Sequence, residues 1–316
     1  NLSVIDLSHN SLRKWDSKLF DLENLTSLDV SHNKLQALPA LPPKVFQSGL
    51  SKLEILDLAE NELSTLPALF FCCNLSIRSL KLEGNRLQRL HSGDFRGLSC
   101  LEELNLQQNQ LANLDADVFD DHNLKRSLLK LNLEQNQLAH LDGAVFDDYE
   151  HHNLKRSLLK LNLGGNRITT LPNGLFNGFR KLRNLQLQSN QLVRLPQQLF
   201  QNLSSLKLLN LSQNALDDLP PALFEGLNLS VIDLSHNKLS HNSLRKWDSK
   251  LFDLENLTSL DVSHNKLQAL PPKVFDGLKL NKLYLPNNDL SQLHERSMLR
   301  SLTWRASPPW TYVETA

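Results

Sequence analysis

One eleven-residue pattern recurs twelve times along the chain: L-x-x-L-x-L-x-x-N-x-L, with Ile or Val occasionally in place of Leu. It reads L-E-E-L-N-L-Q-Q-N-Q-L over residues 101–111 and L-R-N-L-Q-L-Q-S-N-Q-L over residues 182–192. Self-similarity at a fixed period predicts a solenoid, in which each repeat contacts only its neighbours. The motif asparagines are 23 to 30 residues apart, most often 24, and are Asn10, Asn33, Asn61, Asn85, Asn109, Asn136, Asn166, Asn190, Asn214, Asn237, Asn265 and Asn288.

Each L-x-L segment inside the motif predicts a short strand whose leucines point inward and whose other residues point outward. Stacking the repeats places these strands side by side in a parallel sheet. The motif Asn follows the strand, where the chain turns away. We expect its side-chain amide to satisfy backbone groups that the turn leaves unpaired, so that the asparagines form a ladder along the stack.

The second half of each repeat returns the chain to the next strand and reads L-P-x-x-L-F-x-x-L. Proline ends a helix that begins there and favours extended geometry in the residue before it. A Phe usually follows the motif Asn by ten residues, and eleven of the thirteen phenylalanines share this register. The pattern predicts a Phe spine that fills the outer half of the core, made of Phe20, Phe46, Phe71, Phe95, Phe119, Phe146, Phe176, Phe200, Phe224, Phe252 and Phe275.

This period and the L-P-x-x-x-F spelling resemble the typical, mostly extracellular, subclass of the leucine-rich repeat family. Residues 171–179 (L-P-N-G-L-F-N-G-F) and 271–278 (P-P-K-V-F-D-G-L) are similar to variable lymphocyte receptors and Toll-type receptor ectodomains. Those families cap the solenoid with cysteine-rich modules, which neither end of this sequence carries. The resemblance implies an α/β solenoid: a leucine-rich repeat horseshoe with a concave parallel sheet, about twelve repeats, and a convex side of loops and short helical turns.

We expect the solenoid to cover residues 1–293, followed by a C-terminal aromatic cap or tail over residues 294–316. The chain has 34 basic and 34 acidic residues, so it lacks the charge of a nucleic-acid binder. No apolar run approaches the roughly 20 residues that span a bilayer. Cys72 and Cys73 are adjacent and either could pair with Cys100, although buried free thiols explain the three cysteines equally well.

The sequence contains no recognisable catalytic motif, and neither a cofactor nor a metal ion is expected. The outward residues in the centre of the predicted sheet are therefore the candidate binding residues. Amides dominate the middle of this surface and aspartates its ends, which favours a broad, adaptable binding face over a single deep hot spot. The candidates are Asp57, Lys81, Asn105, Asn132, Asn162, Gln186, Asn210, Asp233 and Tyr284; Asp6, Asp29 and Asp261 share their register.

Histidines and glutamines flank this central column, at His9, His32, Gln108, Gln135, Gln188, Gln213, His236 and His264. Strands about 4.8 Å apart would bring His9 close to His32 and Asp6 close to Asp29. Such a row could be sensitive to pH or bind a metal ion, although L-D-L-S-x-N is also a common spelling of the repeat. The only other cluster with ligand-like residues is 147–152, beside 120–122, where a charged insertion more often forms a solvated loop.

Seven N-x-S/T sequons occur, and four are candidate N-glycosylation sites: Asn24, Asn74, Asn202 and Asn256. Together with the Phe register they favour an extracellular or cell-surface location, with a cytoplasmic one as the alternative. The leading interpretation is a non-enzymatic recognition module, such as a receptor ectodomain or a secreted immunity or adhesion protein, that binds a protein or glycan ligand on its concave face. The alternatives are a self-assembling structural solenoid, since residues 11–39 recur identically at 243–271, and a cytosolic scaffold.

Overall fold

The structure is a computed structural model that falls into two compact units, residues 1–167 and 168–316. Each unit is a stack of repeats with short strands on one side and turns on the other. The residues whose structure is described are 2–15, 22–39, 51–67, 70–71, 76–116, 118–119, 127–146, 154–240, 251–270, 274–275 and 277–291.

The first unit contains seven parallel strands within its described residues, paired in chain order and in register. The middle residue of each strand points into the core, as Leu28 and Leu56 do, while the first and third residues point outward. The predicted parallel sheet is therefore confirmed here. Its strands are β1 (Val4–Asp6), β2 (Ser27–Asp29), β3 (Ile55–Asp57), β4 (Ser79–Lys81), β5 (Glu103–Asn105), β6 (Lys130–Asn132) and β7 (Lys160–Asn162).

The second unit repeats this arrangement, and its described residues hold five parallel strands in chain order. The buried leucines or isoleucine at the strand centres again lie directly beside one another, as Leu209 and Ile232 do. The strands are β8 (Asn184–Gln186), β9 (Leu208–Asn210), β10 (Val231–Asp233), β11 (Ser259–Asp261) and β12 (Lys282–Tyr284).

The return halves consist mainly of turns rather than helices. The carbonyl of Pro172 accepts a hydrogen bond from the Leu175 N–H at 3.2 Å, and Pro196 and Pro220 start the same turn in the next two repeats. The one helix whose bounds lie wholly within the described residues is a 3-10 helix, η1, at Leu154–Arg156. Because proline lacks an N–H and restricts the residue before it, it favours the tight turn with which these three return halves begin.

The predicted Phe spine is present in both units. Phe95 and Phe119 stack with ring centroids 6.2 Å apart, and Phe176, Phe200 and Phe224 form a continuous stack at 6.3 Å per step. All five rings are buried. The spine therefore fills the return-side half of the core with one aromatic ring per repeat.

The motif asparagines link each repeat to the one before it. The Asn136 Nδ2 atom donates to the carbonyls of Leu133 and Glu134 in its own repeat and to that of Leu106 in the preceding repeat. Its Oδ1 atom accepts the N–H of Leu111, also in the preceding repeat. The same set of bonds recurs along both units, so the predicted ladder is confirmed as bonds from each amide to backbone groups of two repeats.

The residue before each motif Asn has a left-handed backbone in all twelve motifs, with φ between 51° and 66°. Ten of these residues are not glycine, although the left-handed region costs such residues roughly 1–2 kcal/mol. Because the turn reverses the chain, the motif Asn that follows it can reach the carbonyls at the end of the strand in the same repeat. The ladder bonds offset the cost of the backbone conformation.

Several sequence expectations lie outside the described residues, among them Phe20, Phe46, the 147–152 cluster and the 294–316 segment. Cys72 and Cys73 also lie outside them, whereas Cys100 is an exposed free thiol. The alternatives of a disulfide or a buried thiol are therefore both wrong for Cys100. Its position in the turn that precedes β5 leaves the side chain in solvent rather than in the core.

Truncation of the spine tests the layered core. We expect Phe176→Ala to lower the free energy of unfolding by about 3–5 kcal/mol, because the stacked rings around it cannot collapse into the cavity. Phe275→Ala is the comparison, since its ring contacts the spine through Phe252 at a tilt of 43° and lies nearer the end of the repeats. Urea denaturation should show a smaller loss for Phe275→Ala; an equal loss, spread over all repeats in hydrogen exchange, would contradict a nearest-neighbour stack.

Candidate functional site

The outward surface of the strands is the candidate binding site, and we call it the sheet face. It consists of the first and third residues of strands β1–β12, taken within each unit separately. All nine predicted binding residues are third residues of a strand and so lie in one column per unit. In the first unit these are Asp57, Lys81, Asn105, Asn132 and Asn162, and in the second Gln186, Asn210, Asp233 and Tyr284.

Most of this column has a structural role that sequence analysis did not anticipate. The Asn132 Oδ1 atom accepts the backbone N–H of Glu134 at 3.1 Å, and the Asp233 Oδ1 atom accepts that of Ser235 at 2.9 Å. This is the local turn that Asp and Asn side chains favour, and it closes the strand end just before the left-handed residue. The same bond is made by all nine Asp and Asn residues of the column: Asp6, Asp29, Asp57, Asn105, Asn132, Asn162, Asn210, Asp233 and Asp261.

The strong preference for Asp and Asn in this column therefore has a folding cause. Nine of the twelve positions carry one of these residues, and the exceptions are Lys81, Gln186 and Tyr284. An acceptor two residues before the N–H at a strand end is a signal that sequence reasoning can use. One oxygen of each Asp or Asn is committed to the turn, and only the second Oδ or Nδ atom remains for a ligand.

Neighbouring side chains engage some of these second atoms. The Lys81 Nζ atom donates to Asp57 Oδ2 at 2.7 Å, and the Asn132 Nδ2 atom donates to Gln107 Oε1 at 3.0 Å. Asn162 donates to the Glu134 carboxylate, also at 3.0 Å. The amide-rich middle of the column is thus a hydrogen-bonded network along the sheet, rather than a row of free amides.

The charged cluster around Lys81 has perturbed ionisation. The hydrogen bond that Lys81 donates to the Asp57 carboxylate raises the pKa of Lys81, which keeps this ammonium group charged. Burial raises the pKa of Glu83, and the nearby carboxylates of Asp57 and Glu60 act in the same direction. The Glu83 Oε2 atom is buried without a hydrogen-bond partner. The charged form of Glu83 therefore lowers the stability of the folded chain.

The first residues of the strands form a second, more accessible column. Val4 and Ile55 are exposed apolar side chains, and the Lys130 Nζ atom contacts Glu103 Oε2 at 3.0 Å across neighbouring strands. Tyr284 belongs to the column of third residues and is 43% exposed. Neither Tyr284 nor the first strand residues bond to a strand-end turn. Their side chains are therefore free to vary without loss of the fold and to contact a ligand.

The flanking histidines stack in pairs, as their spacing predicts. The rings of His9 and His32 lie 4.1 Å apart and those of His236 and His264 lie 3.9 Å apart, each pair nearly parallel. All four occupy the left-handed position before a motif Asn. Gln188 does not belong to this row, because Ser189 occupies the left-handed position in its repeat and Gln188 lies one residue earlier.

The metal interpretation of this row finds no support in its geometry. Parallel stacked imidazoles direct their nitrogen lone pairs side by side, so the two rings cannot converge on one ion. Among the residues that the structure describes, no group of three His, Cys, Asp or Glu side chains is arranged to hold a metal ion.

The candidate glycosylation sites differ in their surroundings. Asn24 and Asn256 are exposed, but the Asn24 Oδ1 atom accepts from Lys52 Nζ and the Asn256 Nδ2 atom donates to Asn228 Oδ1, each at 2.8 Å. Asn202 is exposed in the return half that precedes β9. Asn74 lies outside the described residues. No helix in the described part of the chain is long and apolar enough to cross a membrane.

One family model, described as leucine rich repeat, matches residues 36–87, 75–126, 180–239 and 238–290, which is more than half of the chain. A second leucine rich repeat model matches residues 22–37. Among curated proteins, the chain is 29% identical over 129 residues to mouse (Mus musculus) leucine-rich repeats and immunoglobulin-like domains protein 2. That match covers 41% of this chain and 11% of the mouse protein.

Two solved receptor structures are similar over most of this chain. Toll, in the glycosylated Toll–Spatzle complex of Drosophila, superposes with a TM-score of 0.76 and 28% identity, covering 91% of this chain and 37% of that chain. The plant peptide hormone receptor RGFR1, in complex with RGF2, gives a TM-score of 0.66 and 26% identity, covering 88% and 42%. The chain thus spans less than half the length of each of these relatives.

The buried carboxylate of Glu83 predicts a pH-dependent gain from its removal. The folded-state pKa of Glu83 is raised above the ordinary value of 4.5. The contribution of Glu83 to folding stability is therefore most favourable below that pH and is lost as the pH rises. We therefore expect Glu83→Gln to be more stable than the parent chain near pH 7, with the difference disappearing near pH 4. Urea denaturation at both pH values measures this, with the exposed Glu255→Gln as the control that should change neither. A loss of stability at neutral pH would show that the attraction to Lys81 outweighs burial.

Proposed function

Because this chain belongs to the leucine-rich repeat family, we propose that it is a non-enzymatic recognition module that binds a protein partner through its sheet face. Proteins of this family generally act as recognition modules. The proposed binding surface is the one that sequence analysis assigns to the concave side of the horseshoe. Its ligand is chemically a folded protein or a peptide, with a glycan as the less supported choice.

The observation that carries this proposal is the division of labour between the two outward columns. In the nine repeats whose strand ends in Asp or Asn, that third residue and the motif Asn hold the backbone, as Asn132 and Asn136 do in β6 and the turn after it. The first residue of the strand has no such task, and it varies from Val4 to Glu103 to Lys160. A fixed scaffold with a variable outward column is suited to specific recognition, because side chains can change without disturbing the fold.

The structural relatives favour a protein ligand over a glycan. Toll is solved in complex with Spatzle, and RGFR1 in complex with RGF2. Both are receptors, which supports an extracellular or cell-surface setting for this chain over the cytoplasmic alternative. The exposed Tyr284 adds an aromatic side chain of the kind that anchors protein interfaces.

The proposal is tested with substitutions that spare the strand-end turns. An array of secreted proteins and ectodomains identifies a purified partner, and surface plasmon resonance then measures its affinity for each variant. Lys160→Glu tests the first unit and Tyr284→Ala the second. We expect the variant in the unit that contacts the partner to weaken binding at least about tenfold, or about 1.4 kcal/mol. Asn105→Asp is a third face variant. It changes the charge of the sheet face but keeps the oxygen that accepts the Gln107 N–H.

The matched control is Arg180→Glu, an exposed residue of the return half that precedes β8. It should leave the affinity within about twofold, a change of well under 1 kcal/mol. If the return-side variant abolishes binding while all face variants bind normally, the sheet face is not the binding surface. Light scattering of the unliganded chain over a concentration series separates partner binding from self-assembly.

A further inference from the structure

We propose that Asn202 carries an N-linked glycan whose first sugar occupies a polar cleft between two neighbouring return halves of the second unit. This inference rests on the extracellular setting of the proposed function. It selects one sequon among several and assigns its glycan a place on the protein.

Asn202 stands where four other repeats have glycine. Their F-x-G-L or F-x-G-F turns contain Gly97, Gly178, Gly226 and Gly277, all with positive φ, and in F-Q-N-L the Asn202 backbone adopts the same left-handed conformation with φ of 69°. Asparagine is among the residues that tolerate this region best after glycine. Leu203 is fully buried in the core, so the turn fixes the position of the sequon while Asn202 and Ser204 are exposed.

The amide of Asn202 is the most available of the sequon amides in the described chain. Its side chain has no hydrogen-bond partner there, in contrast to Asn24 and Asn256, whose amides contact Lys52 and Asn228. Asn210 is held in the strand-end turn, where its Oδ1 atom accepts both the N–H and the hydroxyl of Ser212. A glycan on Asn202 breaks none of these bonds.

The space beside Asn202 suits a sugar. A cleft runs between this return half and the next, and its walls include Gln198, Gln201 and Glu225. Within the described residues these three side chains make no hydrogen bond. Their amides can therefore donate to the hydroxyl groups of a sugar, and their amide and carboxylate oxygens can accept from them. Gly226 forms part of the floor, and apart from Gly226 itself and its two chain neighbours no residue comes within 4 Å of the Cβ position that it lacks. The first N-acetylglucosamine can therefore lie along the next repeat.

The attachment step is the ordinary transfer to a sequon. The Asn202 Nδ2 atom forms a bond to C1 of the first sugar, and the bond from C1 to the oxygen of a lipid pyrophosphate donor breaks. The pyrophosphate leaves with the electron pair and Nδ2 loses one proton. Ser204 completes the sequon that the transferase reads.

Peptide mass spectrometry of the full chain, secreted from cultured animal cells, measures occupancy at each sequon. We expect Asn202 to be the most fully occupied sequon of the described chain, with the glycan mass lost in Ser204→Ala, which leaves the Asn202 side chain in place. Ser212→Ala removes the Asn210 sequon in the same way and is the matched control, expected to leave the glycan mass unchanged.

Amide hydrogen exchange then locates the first sugar. An endoglycosidase trims the glycan to one N-acetylglucosamine, and exchange across residues 222–226 is compared with that of Ser204→Ala. We expect slower exchange in the trimmed wild-type chain, and equal exchange in Ser212→Ala and the wild type. Equal exchange in the trimmed wild type and Ser204→Ala would overturn the place assigned to the sugar.

The outcomes separate this inference from the proposed function. An unmodified Asn202 beside occupied sequons elsewhere overturns the inference alone. A secreted chain without glycan at any sequon overturns the inference as well, while the face variants still decide on partner binding. Partner binding that fails in a chain glycosylated at Asn202 overturns only the proposed function.

Discussion

The side-chain amide of the motif asparagine is the interaction on which the rest of the structure depends. Each strand has only three residues, too few for a sheet that is stable by backbone pairing alone. The amide adds up to four hydrogen bonds per repeat, two of them to the preceding repeat. Because nine of the twelve motif asparagines are buried, an unpaired backbone group at their turns would cost about 1–3 kcal/mol. The ladder thus joins the short strands into a stack within each unit.

The same turn explains how the sheet face is divided. The left-handed residue and the Asp or Asn at the strand end are both needed to bring the motif Asn back to the strand. In the function we propose, recognition is therefore left to the first strand residues and to the few third residues, such as Lys81 and Tyr284, that do not close the turn. Variation at these positions changes the surface chemistry at little cost to the fold.

The sequence predicts the repeated core well, because the leucine and Phe registers have one packing solution. Strand positions, register, the Asn ladder and the Phe spine follow from a period that the twelve copies repeat. Identical segments show what a single repeat cannot determine: residues 1–10 recur at 228–237, yet Leu2 is 61% exposed and Leu229 is fully buried. Burial depends on the neighbouring repeat, so it cannot be assigned from local sequence.

The sequence predicts which side chains the sheet face carries, but not the part that they play in the turn. The nine candidate residues do lie in register on the sheet, but the pattern that suggested ligand contacts arises partly from the strand-end turn. The left-handed column was missed because His, Gln, Glu and Ser occupy it and no glycine pattern marks it. The availability of Asn202 was also hidden, since a sequon shows neither the backbone conformation of its Asn nor the side chains that engage it.

The central claim is that the motif amides couple each repeat to its neighbour, and hydrogen exchange of Asn136→Ala tests it most directly. The Leu111 amide, which donates to Asn136 Oδ1, should become less protected by about 1–3 kcal/mol, a rise in exchange rate of roughly 5- to 150-fold. Asn10→Ala is the matched control, because among the described residues Asn10 bonds only to carbonyls of its own repeat. Unchanged protection of Leu111, or an equal loss in the repeats around Asn10→Ala, would contradict the account.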